Sequence, residues 1–339
     1  MKKISRIGLD LAKNVFQIHA ADKHGNVILR KTVKRNKLLE FFAQCEPCLV
    51  GMEACSGAHH WAREITRLGH EVKIMAAQFV TPYRKSGKND CNDAEAICEA
   101  VSRPTMRFVP VKTVQQQAIL CVHRSRTILI GERTALINHL RGLLAEFGII
   151  VAQGAANIRK AMPGILEDAE NNLPGLARDV FADNYYRLLQ VDKRIAEYDA
   201  RINEIARQEP LVQRILKIEG IGPITATALV ATVGDAKTFN SGRQFAAWLG
   251  LTPKQKSSGG KYRLGRISKR GDVYLRTLLI HGSRSAMLHT AKRKDRKSQW
   301  VEKLKERRNA NIAAIALAAK NARIIWSVLS KDEEYRLAV

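Results

Sequence analysis

At 339 residues with 45% apolar side chains, the chain is globular and long enough for two or three domains with real cores. It carries 57 Lys and Arg against 32 Asp and Glu, a formal net charge of +25, so the expected partner is a polyanion, nucleic acid before a membrane surface. No apolar run approaches the ~20 residues of a spanning helix, and the chain enters a strand without the apolar stretch of a signal peptide; no membrane partner and an intracellular, cytoplasmic protein are expected.

The charge is uneven. Residues 1–110 hold 18 basic and 11 acidic side chains, residues 111–210 hold 13 and 12, and residues 211–339 hold 26 and 9, so the polyanion surface is expected mainly at the C-terminal end. All six cysteines fall in the first 121 residues; Cys45-Glu46-Pro47-Cys48 lacks a second ligand pair at zinc spacing and reads as reduced, partly buried thiols.

Residues 4–20, with Ile4, Ile7, Leu9, Val15, Phe16 and Ile18, read as a first strand; Asp22–Gly25 is a turn, and Gly25–Val33 a second strand that closes a hairpin. Leu38–Cys45 is a short helix, Cys48–Met52 a buried strand ending at Glu53, His59–Leu68 a helix stopped by Gly69, and Val72–Ala76 a further strand. Asn92–Ser102 is helical, and Met106–Val111 is a last strand or extended linker. This order fits a mixed-sheet α/β domain. Four acids stand out in it. Asp10 interrupts Ile7-Gly8-Leu9-Asp10-Leu11, where a carboxylate among buried apolar residues is costly unless paired or metal-bound. Glu53 follows the next buried strand, and Asp90 and Asp93, spaced i, i+3 at a helix start, share one face. Each alone reads equally well as a surface acid. Together they concentrate enough negative charge for hard cations, Mg²⁺ or Mn²⁺, that take oxygen ligands and clamp the attacking and leaving oxygens of a phosphodiester. Glu95, two residues after Asp93, breaks the i, i+3 pairing and reads as solvated.

The middle of the chain is helical. Leu136, Leu140, Leu143 and Phe147 recur at 4-3-4 spacing within Gln115–Phe147, and Leu188, Val191, Ile195, Tyr198, Ile202 and Ile205 form an a/d seam. The Gly/Pro-containing stretch Gly154–Gly175 reads as the chain reversal of an antiparallel coiled-coil hairpin, with ordinary bundle helices as the alternative. Such a near-neutral spacer suits the pairing of protomers.

The last part opens with Glu219-Gly220-Ile221-Gly222-Pro223, read as the turn of a helix–hairpin–helix whose Gly220 and Gly222 offer backbone N–H groups to a phosphate. After Phe245–Pro253 comes a segment read as a mobile cationic loop: Lys254, Lys256, Lys261, Arg263, Arg266, Lys269 and Arg270 surround Ser257-Ser258-Gly259-Gly260. A serine among cations suits a phosphoryl nucleophile, although Ser-Ser-Gly-Gly is also an ordinary linker. A second basic run, Lys292–Lys297, reads as a backbone-contacting patch or a solvated helix start.

These blocks, in this order, resemble the DEDD transposases of bacterial insertion sequences, the family that includes the Piv-type invertase and bridge-RNA-guided recombinases. The resemblance rests on Gly8-Leu9-Asp10-Leu11-Ala12-Lys13, Met52-Glu53-Ala54-Cys55-Ser56-Gly57, Lys88-Asn89-Asp90-Cys91-Asn92-Asp93-Ala94, Glu219-Gly220-Ile221-Gly222, Phe245–Pro253, and Ser258-Gly259 followed by Arg266–Gly271. It implies three parts: residues 1–112, a RuvC-like, ribonuclease-H-fold catalytic domain; residues 113–208, a helical coiled-coil hairpin; residues 209–339, a mainly helical transposase domain with the serine loop. It further implies Mg²⁺ on Asp10, Glu53, Asp90 and Asp93, and a covalent phosphoserine intermediate on Ser258, chosen over Ser257 because it directly precedes glycine. The implied partners are target and donor DNA and a non-coding guide RNA, the implied assembly is a homodimer or tetramer with acids and serine from different protomers, and the implied setting is the bacterial nucleoid. The alternative from the same acids is a RuvC-like metal-dependent endonuclease with water as nucleophile; a third reading is a non-catalytic nucleic-acid-binding protein.

Overall fold

The computed structural model describes residues 3–85, 87 and 89–336; Lys88, at the head of the Lys-Asn-Asp motif, lies outside them. The chain forms two compact units, Met1–Val114 and Gln115–Val339.

The first unit is built on a six-stranded mixed sheet of order β3-β2-β1-β4-β5-β6. Strands β1 (Arg6–Leu11), β2 (Val15–Ala21) and β3 (Val27–Lys34) form an antiparallel meander. The stretch 4–20, expected as one strand, is therefore two: the chain reverses at Ala12-Lys13-Asn14, where the Asn14 carbonyl accepts from the Arg35 amide at 2.9 Å. The second turn is held by Asp22, whose Oδ1 accepts from the amides of His24 and Asn26, both at 2.9 Å, with Gly25 at φ +91°. A short helix α1 (Leu38–Ala43) leads to β4 (Leu49–Glu53), parallel to β1; helix α2 (Ala58–Arg67) leads to β5 (Glu71–Met75), parallel to β4. Then come α3 (Ala77–Val80), α4 (Asp90–Val101) and the edge strand β6 (Phe108–Val109). One face of the sheet buries Ile7, Leu9, Phe16 and Ile18 against Leu38 and Phe42 of α1 and Trp61 and Ile65 of α2. Helix α4 covers the other. This is the mixed α/β layer expected of a RuvC-like domain.

The second unit is helical apart from one small hairpin. Two long helices, α5 (Val114–Glu146) and α7 (Gly175–Gln208), run antiparallel, tied by Arg126–Asp199 at 2.5 Å, Glu132–Arg187 at 2.8 Å and Arg133–Asp192 at 3.7 Å. The segment between them is more than a reversal: it holds α6 (Ala155–Glu167), whose Ile158 and Met162 are buried with Leu140, Leu144, Leu188 and Phe181. The helices α8 (Pro210–Leu216), α9 (Pro223–Val233), α10 (Gly242–Trp248), α11 (Val273–Met287), α12 (Arg296–Arg307) and α13 (Ala310–Lys331) follow, with the two-stranded sheet of β7 (Pro253–Gln255) and β8 (Leu264–Ile267) inserted after α10. Contrary to the sequence reading, α13 is long and apolar enough to span a membrane by length and composition. Its Leu317, Ala318, Ala322, Ile325 and Val328 are instead buried in the core shared with α8–α11, the usual place of such a helix in a water-soluble domain.

Candidate active site

Two glycines decide where the four acids go. Gly8 of β1 and Gly51 of β4 are paired in register. A Cβ on Gly8 would stand 2.1 Å from the Ala94 carbonyl oxygen and 2.4 Å from the Cys98 amide nitrogen; one on Gly51 would stand 2.7 Å from Val101 Cβ. Helix α4 thus lies directly on the bare backbone of both strands. Asp10 and Glu53 follow those glycines by two residues, so both acids project from the face that carries α4. The first turn of α4 is set by Asn89, whose side chain accepts from the Asn92 amide at 2.8 Å, and it places Cys91 Sγ 3.8 Å from Gln17, the cross-strand partner of Asp10. Asp90 and Asp93 of that turn therefore sit at the level of Asp10.

The electrostatics agree with this placement. Burial first, then the charges of Asp90, Asp93 and Glu53, push the Asp10 carboxyl up to about 6. Burial, Asp10 and Glu53 likewise push up the thiol of Cys55, in the loop after β4. Part of the negative charge is met by Arg84, whose Nη1 lies 3.2 Å from Asp93 Oδ1. Glu95 is not a solvated spare: it is paired with Lys85 at 3.0 Å and Arg30 at 3.1 Å, which hold its carboxyl below the ordinary range. Among the described residues no three ligating side chains are drawn round one point tightly enough to form a finished metal centre. Cys48 is apart from this site; its thiol lies 3.4 Å from His70 Nδ1, and burial pushes it up to about 12, so it is an inert buried group.

The serine segment belongs to the second unit and is more ordered than a linker. It is the β7–β8 hairpin, closed by a bridge between Ser258 and Lys261 with Gly259 and Gly260 at φ +55° and +74°, the paired left-handed conformations of a tight hairpin turn. Ser257 Oγ accepts from Gln255 Nε2 at 3.0 Å and the Arg263 amide at 3.4 Å, whereas among the described residues nothing holds Ser258 Oγ. Lys254, Lys256, Lys261, Arg263, Arg266, Lys269 and Arg270 are all exposed on this hairpin. Its base is anchored: Cβ atoms on Gly250 and Gly271 would collide with the Arg270 and Trp248 carbonyl oxygens at 2.5 and 2.1 Å, and buried Arg276 donates to the carbonyls of Leu249 and Gly271. Gly220 and Gly222 differ from each other. Gly220, at φ +84°, presses on Gly282 of α11, whose backbone leaves no room for a side chain, while Gly222 is exposed.

Sequence reasoning missed three features: the Arg84 pair with Asp93, the Cys55 thiol beside the acids, and the acidic tail after α13, which is bound to α8. A single Arg in a loop and three acids after the last helix carry no pattern that announces these contacts. The Met-Glu-Ala-Cys motif did hold the signal for Cys55.

An acid-bearing mixed sheet joined to a strongly basic helical unit fits an enzyme that acts on DNA, and the comparisons with known proteins identify the class as a DNA transposase, an enzyme that cuts and rejoins DNA. A DEDD transposase family of the IS110 type matches residues 7–149, and the transposase IS116/IS110/IS902 family matches residues 212–298. The chain is 51% identical over 334 residues to a probable family 20 transposase of Pseudomonas aeruginosa, covering 98% of this chain and 99% of the relative. It is 44% identical to the transposase for insertion sequence element IS1111A of Coxiella burnetii, covering 99% and 92%, and 43% identical to that of IS1328 of Yersinia enterocolitica, covering 98% of each. The chain belongs to the IS110 family of insertion-sequence transposases, and that membership implies DNA as a partner and a divalent metal cofactor.

Proposed function

We propose that Asp10, Glu53, Asp90 and Asp93 hold the divalent cations, Mg²⁺ or Mn²⁺, and that Ser258 is the nucleophile of strand exchange. The observation that carries the first half is the placement of Asp10 and Glu53 on the sheet face that α4 covers, with Asp90 and Asp93 in the first turn of that helix. Burial, then the charges of the other three acids, raise the Asp10 carboxyl, and such an all-oxygen donor set suits a hard cation. When bound, such ions supply Lewis-acid stabilisation of the phosphate oxygens and of the leaving oxygen. Arg84 orients Asp93, and the glycine cradle fixes α4 so that the carboxylates need not be gathered by the metal alone.

For the second half, Ser258 Oγ gives up its proton, forms an ester bond to phosphorus and displaces one deoxyribose oxygen as a hydroxyl. A hydroxyl of the exchanged strand then attacks the same phosphorus and releases the serine, so the number of phosphodiester bonds is conserved. The free hydroxyl of Ser258, against the hydrogen-bonded one of Ser257, favours Ser258 for this role. Surrounding cations, Lys254, Lys256, Lys261 and Arg263 foremost, stabilise the charge on the phosphate. Arg266, Lys269, Arg270 and the Gly220–Gly222 turn belong to the same nucleic-acid surface. Acids and serine act from different protomers of a homodimer or tetramer, and a non-coding RNA of the element directs the choice of DNA.

Denaturing the protein after reaction with labelled DNA tests the chemistry: a covalent adduct that Ser258→Ala abolishes and Ser257→Ala retains is expected. Cleavage without adduct in both variants would make water the nucleophile and the enzyme a hydrolytic nuclease. Mixing Asp10→Ala with Ser258→Ala protein should restore part of the exchange if the site is composite. Recombination undiminished by RNase treatment would remove the guide RNA. Calorimetry should record Mg²⁺ binding by the wild type and not by Asp10→Asn.

A further inference from the structure

The segment after α13 is acidic, against the trend of the C-terminal region. Three consecutive carboxylates, Asp332, Glu333 and Glu334, follow α13, although residues 211–339 hold 26 basic and only 9 acidic side chains. Asp332 takes the left-handed conformation, φ +60°, that turns the chain back over the helical body. Its carboxylate is paired with Arg214 of α8, and Glu334 Oε2 lies 2.5 Å from Lys217. Tyr335 then anchors the segment: its hydroxyl donates to Glu219 Oε2 at 3.1 Å and accepts from Lys297 Nζ at 3.0 Å. The acidic side chains thus lie over the two cations that lead into the Glu219–Gly222 turn.

We propose that the face formed by Arg214, Lys217 and the turn with exposed Gly222 takes a nucleic-acid phosphate backbone, and that Asp332–Glu334 occupies it in the free protein as a built-in competitor. The proposal rests on the reading of the chain as a DNA-acting enzyme. Three properties support it. Each of the two acids pairs with one of the two cations, so the face already holds two separate anionic groups. The acids are exposed, Asp332 at 73% and Glu334 at 62%, against a half-buried Arg214 and an exposed Lys217, so the pairs are reached by solvent, screened by salt and displaceable. Glu219, which would repel a phosphate, is instead turned inward, held by Lys297, Arg293 and Tyr335, so displacing the acids need not uncover it. A polyanion releases counterions along its whole length when it binds, and three carboxylates on one short segment cannot match that.

Neutralising the tail in the full-length protein tests this. Asp332→Asn, Glu333→Gln and Glu334→Gln together keep Tyr335 and the turn, since Asn tolerates the left-handed conformation. At low salt this variant should bind a duplex DNA of unrelated sequence about 3- to 10-fold more tightly than wild type, with a steeper salt dependence. The control Glu167→Gln, Asp168→Asn, Glu170→Gln adds the same charge elsewhere and should gain much less. In a double-mutant cycle, Arg214→Gln with Lys217→Gln should abolish the gain from the tail. Parallel titrations with duplex DNA and a folded RNA identify the backbone served, as the one with the larger gain. Equal gains in tail and control variants, or an additive cycle, would overturn the proposal. Absence of nucleic-acid binding by every variant, control included, would overturn the DNA-acting reading itself.

Discussion

The acids of the first unit and the cations of the second show two opposite ways of carrying charge. In the first unit like charges are forced together. Asp10 and Glu53 leave one sheet face, α4 is laid on Gly8 and Gly51 to bring Asp90 and Asp93 over them, and burial first, then the neighbouring charges, raise the carboxyl of Asp10 to about 6. In the second unit the cations of the β7–β8 hairpin are spread over exposed positions on an anchored base, so they repel little. Concentrated charge needs a rigid frame and leaves traces in that frame; dispersed charge needs only solvent. A site for small, doubly charged ions calls for the former, and a surface for a long polyanion for the latter.

The sharpest way to break this comparison is at the chemistry. Asp10→Ala and Ser258→Ala should each lower strand exchange by at least about 10³-fold, because one removes a ligand from a charge cluster and the other the attacking oxygen. Neither should weaken DNA binding by more than about 2-fold, since neither is a cationic contact. Recombination assays beside filter binding measure both. Substantial exchange by either variant would separate that residue from the reaction.

The frame comes next. Gly8→Val should destabilise the first unit by about 3–5 kcal/mol or dislodge α4, since the branch would enter the helix backbone itself. Gly51→Ala should cost less, about 2–3 kcal/mol, because its Cβ meets Val101 Cβ at 2.7 Å, an atom that yields only if α4 itself moves slightly, and not the helix backbone directly. Denaturant unfolding with a metal-binding readout decides this. Equal costs at the two positions would mean that α4 does not rest on the sheet as described.

Much of this was legible in sequence for a physical reason. A carboxylate inside Ile-Gly-Leu-Asp-Leu is an anomaly of burial, and anomalies of burial are local. The neighbouring glycine was equally visible but silent, because its meaning depends on Ala94, far along the chain. The strand break at Ala12–Asn14 was missed since apolar residues continue on both sides and no Gly or Pro marks it. Helix α6 was missed because Pro163 and flanking glycines suggested a reversal. The spanning-length apolar run of α13 was overlooked because Lys320, Asn321 and Arg323 interrupt it. The Ser-Ser-Gly-Gly segment read as part of a mobile cationic loop, although two successive glycines between cross-strand partners equally specify a tight hairpin turn. Ion pairs such as Arg84–Asp93 and Arg214–Asp332 have no sequence signature.

The dispersed half is probed by salt. Changing Lys254, Lys256, Lys261 and Arg263 together to Gln should reduce the slope of log affinity against log salt by up to about 3–4, if each cation meets one phosphate. The unfolding temperature should stay the same, since all four side chains are exposed. An unchanged slope would remove the hairpin from the polyanion surface. A large loss of stability would show that the cations serve the fold.

The smallest effect separates the two units by the sign of their response to acid. His123 of α5 is buried, its Nδ1 3.0 Å from the Tyr274 hydroxyl and its Nε2 3.0 Å from Thr227 Oγ1, and burial followed by Arg126 pulls it down to about 4. The unfolded chain takes this proton below about 6.5 and the fold refuses it until about 4, so stability falls across that window as pH drops. Asp10 works the other way. The fold keeps its proton up to about 6 while the unfolded chain releases it near 3.8, so the penalty grows as pH rises through that interval and is absent below it. In metal-free buffer, Asp10→Asn should therefore be more stable than wild type at pH 8 by about 1 kcal/mol, discounted for partial exposure, with the gain vanishing near pH 4. For His123→Gln the expected change is a deficit at pH 8 that shrinks by about 2 kcal/mol on going to pH 4. Amide exchange followed separately in β1 and in α5 reads the two effects in one protein. If Asp10→Asn brings no gain at pH 8, Asp10 is not buried among the other acids as described; if added Mg²⁺ stabilises Asp10→Asn as much as wild type, the metal does not act through Asp10.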